Sequence, residues 1–268
     1  MTWSAPGQAI SEWEHLQVRK NTTDRIQSLP APSGGVDKAF RFEVRKDDFA
    51  VNDACGLIGS GWRAGGVGPH EQESNRTIRY EWNTLFEQGF PGSPVDSSGH
   101  EVWVLFTQWH QKDPSTGDSP PIAFIIQNNK LRLVLTKVDN TNPDPAHSVE
   151  VNRYDLAPFS TGVWHHWRAE IRWALKDGSI KVWHDDSVVQ DLAHVQTVFP
   201  ISPGQLDQPG DSYLKVGLYR KPVDPPAGPW VVWHDEFKRL EQGNAGPLPH
   251  PSGTLPMCPT GTLTPSIN

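Results

Sequence analysis

Apolar and polar residues alternate with period two along most of this chain, the mark of strands that bury one face. In KAFRFEVRKDD (38–48), Phe40, Phe42 and Val44 alternate with Arg41, Glu43 and Arg45. In NRTIRYEWNTLF (75–86), Ile78, Tyr80 and Trp82 alternate with Arg79, Glu81 and Asn83. EVWVLFTQWHQ (101–111) is apolar on both faces until Gln108 and His110, which predicts a strand covered on both sides in mid-sheet. IAFIIQ and KLRLVLTKV flank Asn128-Asn129, a pair that tolerates positive φ and so predicts a hairpin. In VWHHWRAEIRWAL (163–175), Trp167, Ala169, Ile171 and Trp173 oppose His166, Arg168, Glu170 and Arg172, and the chain then turns through Lys176-Asp177-Gly178 into SIKVWHD. LKVGLYRK (214–221) sets Leu214, Val216 and Leu218 against Lys215, Gly217 and Tyr219, with the glycine read as clearing space above the backbone. WVVWHDEFKRL (230–240) is the last strand.

No segment repeats apolar residues at i, i+3, i+4 and i+7, although a short helix near 194–199 is allowed. The Gly-rich run GLIGSGWRAGGVGPHE (56–71) reads as a loop. Strands of this spacing, joined by turn-rich connections, predict an all-β fold: a curved two-sheet antiparallel sandwich of β-jelly-roll type. One domain is expected over 1–242, followed by a Pro/Gly-rich tail over 243–268. Composition agrees, with 12 Trp against 2 Met and 25 Pro plus 23 Gly in 268 residues. Indole faces stack on sugar rings, but they also fill cores, so the tryptophans alone do not separate a carbohydrate site from packing.

The formal charge of −7 argues against a general nucleic-acid binder, so a site for an anion would have to be local. No apolar run is long enough to span a membrane. The start MTWSAPGQAIS lacks the basic-then-apolar pattern of a secretory signal. The expectation is a secreted or extracellular protein whose signal is not in this chain, with an intracellular one left open. Cys55 and Cys258 show no metal or redox spacing and leave a tail-pinning disulfide open. Asn21-Thr22-Thr23 and Asn75-Arg76-Thr77 are sequons, triplets that also arise by chance.

Three polar sets interrupt greasy strands at period-two spacing: Gln108 with His110, Lys215 with Tyr219, and Arg79 with Glu81 and Asn83. If all three faced one groove, they would bring an imidazole, an amide, a phenol and two cations together. That inventory suits β-elimination of a uronic-acid polysaccharide: cations and amides neutralise the carboxylate, a base takes the C5 proton, and an acid protonates the departing oxygen. Taken singly, each member also fits a solvated sheet face. A glycosidase would need two carboxyls across the scissile bond; the Glu-x-Asp-x-x-Glu and Glu-x-Asp-x-Glu arrangements are absent, and Glu71 and Glu73 sit in an expected loop. Zinc is not expected, because His165 and His166 are adjacent and face opposite ways on a strand.

QWH (108–110), WHHWRAEIRWALKDGSIKVWHDD (164–186), YLKVGLYR (213–220) and VWHDEFKRL (232–240) together resemble the heparin lyase I and glucuronan lyase group of polysaccharide lyases, concanavalin A-like jelly rolls. The resemblance covers roughly residues 36–241. It implies that His110 and Tyr219 exchange protons, that Lys215 and Gln108 address the uronate carboxylate, and that Arg79 lies on the groove strand beside the substrate-binding candidates Glu81 and Asn83. It also implies a structural calcium, with Glu43 and Asp235 as candidate ligands, and no cofactor for the chemistry. The implied partner is an anionic uronic-acid polysaccharide met by a monomer. The net charge and the lack of a Lys/Arg cluster favour weakly sulfated or unsulfated polymers such as glucuronan over heparin. A lectin-like binding sandwich and a glycoside hydrolase remain as alternatives.

Overall fold

The computed structural model describes residues 15–19, 24–35, 38–46, 48–51, 57–71, 76–96, 98–111, 119–138, 149–201, 205, 207–220 and 228–241. Cys55, Cys258, Asn21, Asn75, Glu73 and the tail 243–268 lie outside these residues.

Strands are numbered in chain order. One sheet runs, from edge to edge, β1 (His15–Arg19), β4 (Phe49–Val51), β5 (Leu57–Glu71), β14 (Ser212–Arg220), β7 (Val104–Gln111), β8 (Ile122–Gln127), β9 (Lys130–Val138) and β10 (Val149–Pro158). The other runs β13 (Ser187–Val195), β12 (Gly178–His184), β11 (Trp164–Arg172), β6 (Thr77–Phe86), β15 (Trp230–Glu241), β3 (Lys38–Val44) and β2 (Ile26–Pro30). Every pairing among the described residues is antiparallel, and the two sheets form an open sandwich of jelly-roll type. The strands with clear alternation form where expected, and β7 sits in mid-sheet between β14 and β8. The β8–β9 hairpin turns on Asn128 and Asn129, both at positive φ.

Six strands go beyond the sequence pattern: β1, β2, β4, β5, β10 and β13. The Gly-rich run is not a loop but β5, next to the centre of its sheet. Residues 194–199 hold the end of the edge strand β13 and no helix, and β10 edges the other sheet.

The inner faces meet in an aromatic core. Trp82 of β6 lies edge-on to Trp109 at 6.0 Å and to Phe124 at 5.2 Å, both on the opposite sheet, and stacks on Phe237 at 5.8 Å. Leu214, Val216 and Leu218 of β14 join the same core, which turns Lys215 and Tyr219 to the outside of the eight-stranded sheet. Ile78, Tyr80 and Trp82 of β6 do likewise from the other side, which turns Arg79, Glu81 and Asn83 to the outside of the seven-stranded sheet. Side chains alternate faces along a strand, so these two polar sets lie on opposite surfaces of the sandwich.

Candidate active site

Three cross-strand pairs follow one another along the outer face of β14. Tyr213 lies opposite His110 and Lys215 opposite Gln108, both partners on β7, while Tyr219 lies opposite Arg63 on β5. Arg63, Gln108, Lys215 and Tyr219 line one recess, floored by Gly65, Val216 and Gly217 and bounded by Leu105. The four residues that the sequence offers for chemistry, His110, Gln108, Lys215 and Tyr219, therefore share one face of two neighbouring strands. The arginine beside them is Arg63, not Arg79.

Arg79 pairs in register with Glu170, Glu81 with Arg168 and Asn83 with His166, all on β11. Arg79 Nη2 reaches the Glu170 carboxylate at 3.2 Å, Arg168 Nε stands 3.8 Å from Glu81, and His166 Nδ1 lies 2.7 Å from Asn83 Oδ1. Cross-strand pairs account for the polar face of β6, and the one-groove expectation fails for this set because β6 belongs to the other sheet. Period-two spacing shows which residues share a face, but not which sheet that face belongs to.

The candidate calcium ligands are likewise apart. Glu43 lies opposite Val231, four residues short of Asp235, a separation of about 13 Å along the strand. Both Glu43 oxygens are engaged by arginines, Arg41 at 2.5 Å and Arg45. Their guanidinium groups outweigh burial and hold this carboxyl below its ordinary value. The two residues do not form one site.

Electrostatics in the recess follow from burial. Lys215 is nine-tenths buried, and desolvation, aided by the nearby Arg63 cation, pushes its ammonium down to about 7. Its Nζ stands 5.1 Å from the centre of the Tyr213 ring. Burial pushes the Tyr213 phenol up to about 12, so it stays protonated at neutral pH. Arg63 lies over the Tyr219 ring at 4.0 Å, and Trp103 meets that ring edge-on at 5.2 Å. His110 Nδ1 lies 2.8 Å from the Gln111 carbonyl and 3.5 Å from the Tyr213 hydroxyl. A carbonyl can only accept, so Nδ1 carries the hydrogen and Nε2 is the basic nitrogen.

Arg63 and Tyr213 are absent from the sequence-based site. Tyr213 stands two residues before Lys215, and its period-two place on that face is the signal that points to it. Arg63 is hidden by the glycines around it, which mask β5 as a strand.

A family model described as polysaccharide lyase matches residues 6–238. The chain belongs to the polysaccharide lyase family. No curated protein matches the sequence. Among solved structures, this lyase resembles endo-β-1,4-glucuronan lyase from the fungus Trichoderma reesei, with TM-score 0.64 and 18% identity over 85% of this chain and 90% of that one. It also resembles the family 7 alginate lyase A1-II′, with TM-score 0.54 and 14% identity over 87% and 96%. The alginate lyase from Klebsiella pneumoniae aligns with TM-score 0.54 and 7% identity over 87% and 96%. At these identities the likenesses speak for the jelly-roll fold of the lyase, while the family match makes it a polysaccharide lyase. No helix among the described residues is long and apolar enough to cross a membrane.

Proposed function

We propose that this lyase cleaves a glucuronic-acid-containing polysaccharide by β-elimination, leaving an unsaturated uronide at the new non-reducing end. The observation that carries this reading is the Lys215–Gln108 pair, a buried cation and a buried amide side by side on one face, flanked by an imidazole on one side and a phenol on the other. A uronate carboxylate set on this pair is neutralised, which acidifies the proton at C5. His110 Nε2, from the Tyr213 side, takes that proton. The electrons left behind form the C4=C5 bond as the C4–O bond breaks. Tyr219, from the Arg63 side, protonates the departing oxygen. Tyr219 is assigned the acid role because its ring lines the recess with Lys215 and Gln108, whereas Tyr213 packs beneath Lys215 and against His110 and positions them.

The substrate class is supported by the glucuronan and alginate lyases among the structural neighbours and by the absence of a Lys/Arg cluster in a chain of net charge −7. A polymer substrate also suits an extracellular place of action. The direct test offers glucuronan, alginate and a sulfated glycosaminoglycan and follows the ultraviolet absorbance of the unsaturated uronide. Glucuronan is expected to give the largest rate. New reducing ends without that absorbance would mark hydrolysis and end the proposal.

The depressed Lys215 pKa also predicts a split between stability and activity. The unfolded lysine keeps its ordinary value of 10.5 while the folded one sits near 7, so the unfolded chain binds more protons between those values. Wild-type stability from this group therefore rises with pH across that window, and the cost of the buried cation is full below it. Lys215→Met should melt above wild type at pH 6, converge with it towards pH 10, and lose most of its kcat/KM. Melting curves at several pH values and initial rates check both halves; a variant less stable than wild type at pH 6 contradicts the first.

A further inference from the structure

We propose that the tip of the seven-stranded sheet, where β11 begins and β12 turns into β13, is a binding site for a first-row divalent metal ion such as Zn2+, with His165, His184 and Asp185 as ligands. Adjacent histidines on one strand cannot share a metal, which is why His165 and His166 carry no such signal in the sequence. The fold changes the pairing by bringing His165 to His184 of the neighbouring strand. Trp167 is in register with His184, so His165 is the diagonal neighbour of His184 on the same face.

The donor geometry is that of a small site. His165 Nδ1 and His184 Nε2 are 2.9 Å apart, His184 Nε2 and Asp185 Oδ2 are 3.4 Å apart, and all three donors lie within 4.8 Å of one another. Ligands held about 2.0–2.1 Å from a tetrahedral ion stand about 3.3 Å from each other, so small adjustments would admit one. Two of the three ligands are also held from behind. His165 Nε2 lies 3.2 Å from the Ser160 carbonyl, which fixes the hydrogen there and turns the Nδ1 lone pair towards His184. Asp185 Oδ1 accepts the His166 amide at 2.9 Å, leaving Oδ2 to face His184. Asp185 is exposed and His184 half-buried, so an ion has a way in, and a fourth position is left for water. Two imidazoles and one carboxylate select zinc-like ions over calcium, which prefers all-oxygen shells. The site is on the seven-stranded sheet, apart from the recess on the other. An ion here would clip the start of β11 to the β12–β13 turn.

The test is calorimetric titration of untagged, chelator-washed protein with Zn2+, alongside melting curves with and without the ion. One ion per chain and a Tm raised by several degrees are expected. Asp185→Asn keeps an acceptor for the His166 amide and suits the positive φ of this turn, yet removes the charged ligand, so affinity should fall about tenfold or more. His184→Gln should abolish binding. If neither titration nor melting detects Zn2+, or if binding survives both substitutions, the ion is not held here and the histidines form only a hydrogen bond. A Tm loss in His184→Gln without any zinc response in the wild type equally leaves the pair as a hydrogen bond and overturns the proposal.

Discussion

Tyr219→Phe is expected to fold and to bind polymer as wild type does, yet to turn over roughly a hundredfold slower or worse, because the change removes one hydroxyl and the proton it donates. The ring remains, so its contacts with Arg63 and Trp103 remain. Tyr213→Phe is the matched control on the same strand. It keeps the ring beneath Lys215 and beside His110 and should cost less than about tenfold, since the phenol there only positions its neighbours. Initial rates and KM for the two variants, with circular dichroism to confirm folding, separate the two roles. If Tyr213→Phe collapses turnover while Tyr219→Phe is spared, the acid sits on the His110 side of the carboxylate-binding pair and the assignment of Tyr219 falls.

Gly217→Ala should be the most damaging small substitution in the recess, for a reason the sequence does not reveal. The residue has φ of +126°, and an added Cβ would lie 2.3 Å from the Ala64 carbonyl oxygen, 2.6 Å from Gly65 Cα and 2.9 Å from the Phe42 ring. The glycine therefore allows β14 to bulge between Val216 and Tyr219 against β7 while its backbone stays close against β5, rather than clearing room for a sugar. Strain and overpacking together should cost roughly 3 kcal/mol or more of stability. A urea titration measures it. An alanine variant with normal stability but weak substrate binding would restore the sugar-clearing role.

What the sequence reveals and what it hides divides along physical lines. The faces of β3, β6, β7, β11 and the first half of β14 are legible, because each turns a run of apolar side chains into the core between the sheets. The carboxylate-binding pair is legible for the same reason: Lys215 and Gln108 stand at outward positions of strands whose inward positions are plainly apolar. β5 is hidden, since its glycines remove the side chains that alternation relies on, and Arg63 is hidden with it. The surface to which β6 turns its charges depends on sheet order, a long-range property set by which strands pair. The same holds for His165 and His184, separated by 19 residues yet in contact. β13 is an edge strand of mostly exposed and half-buried residues, so little burial pressure shapes its pattern.

The placement of the indoles gives the molecule two separate optical channels. Trp82, Trp109, Trp167 and Trp173 lie in the core between the sheets, where polymer does not reach, so their emission follows loss of the folded state. Trp103 stands against Tyr219 at the margin of the recess and is only partly buried, so it alone of these five is placed to be shielded from a soluble quencher when a sugar chain lies there. Occupancy and unfolding can thus be followed in one cuvette without a label, the first as a fall in the quenchable share of the emission, to which the partly buried Trp164 and Trp183 add a constant part, and the second as a red shift of the core indoles.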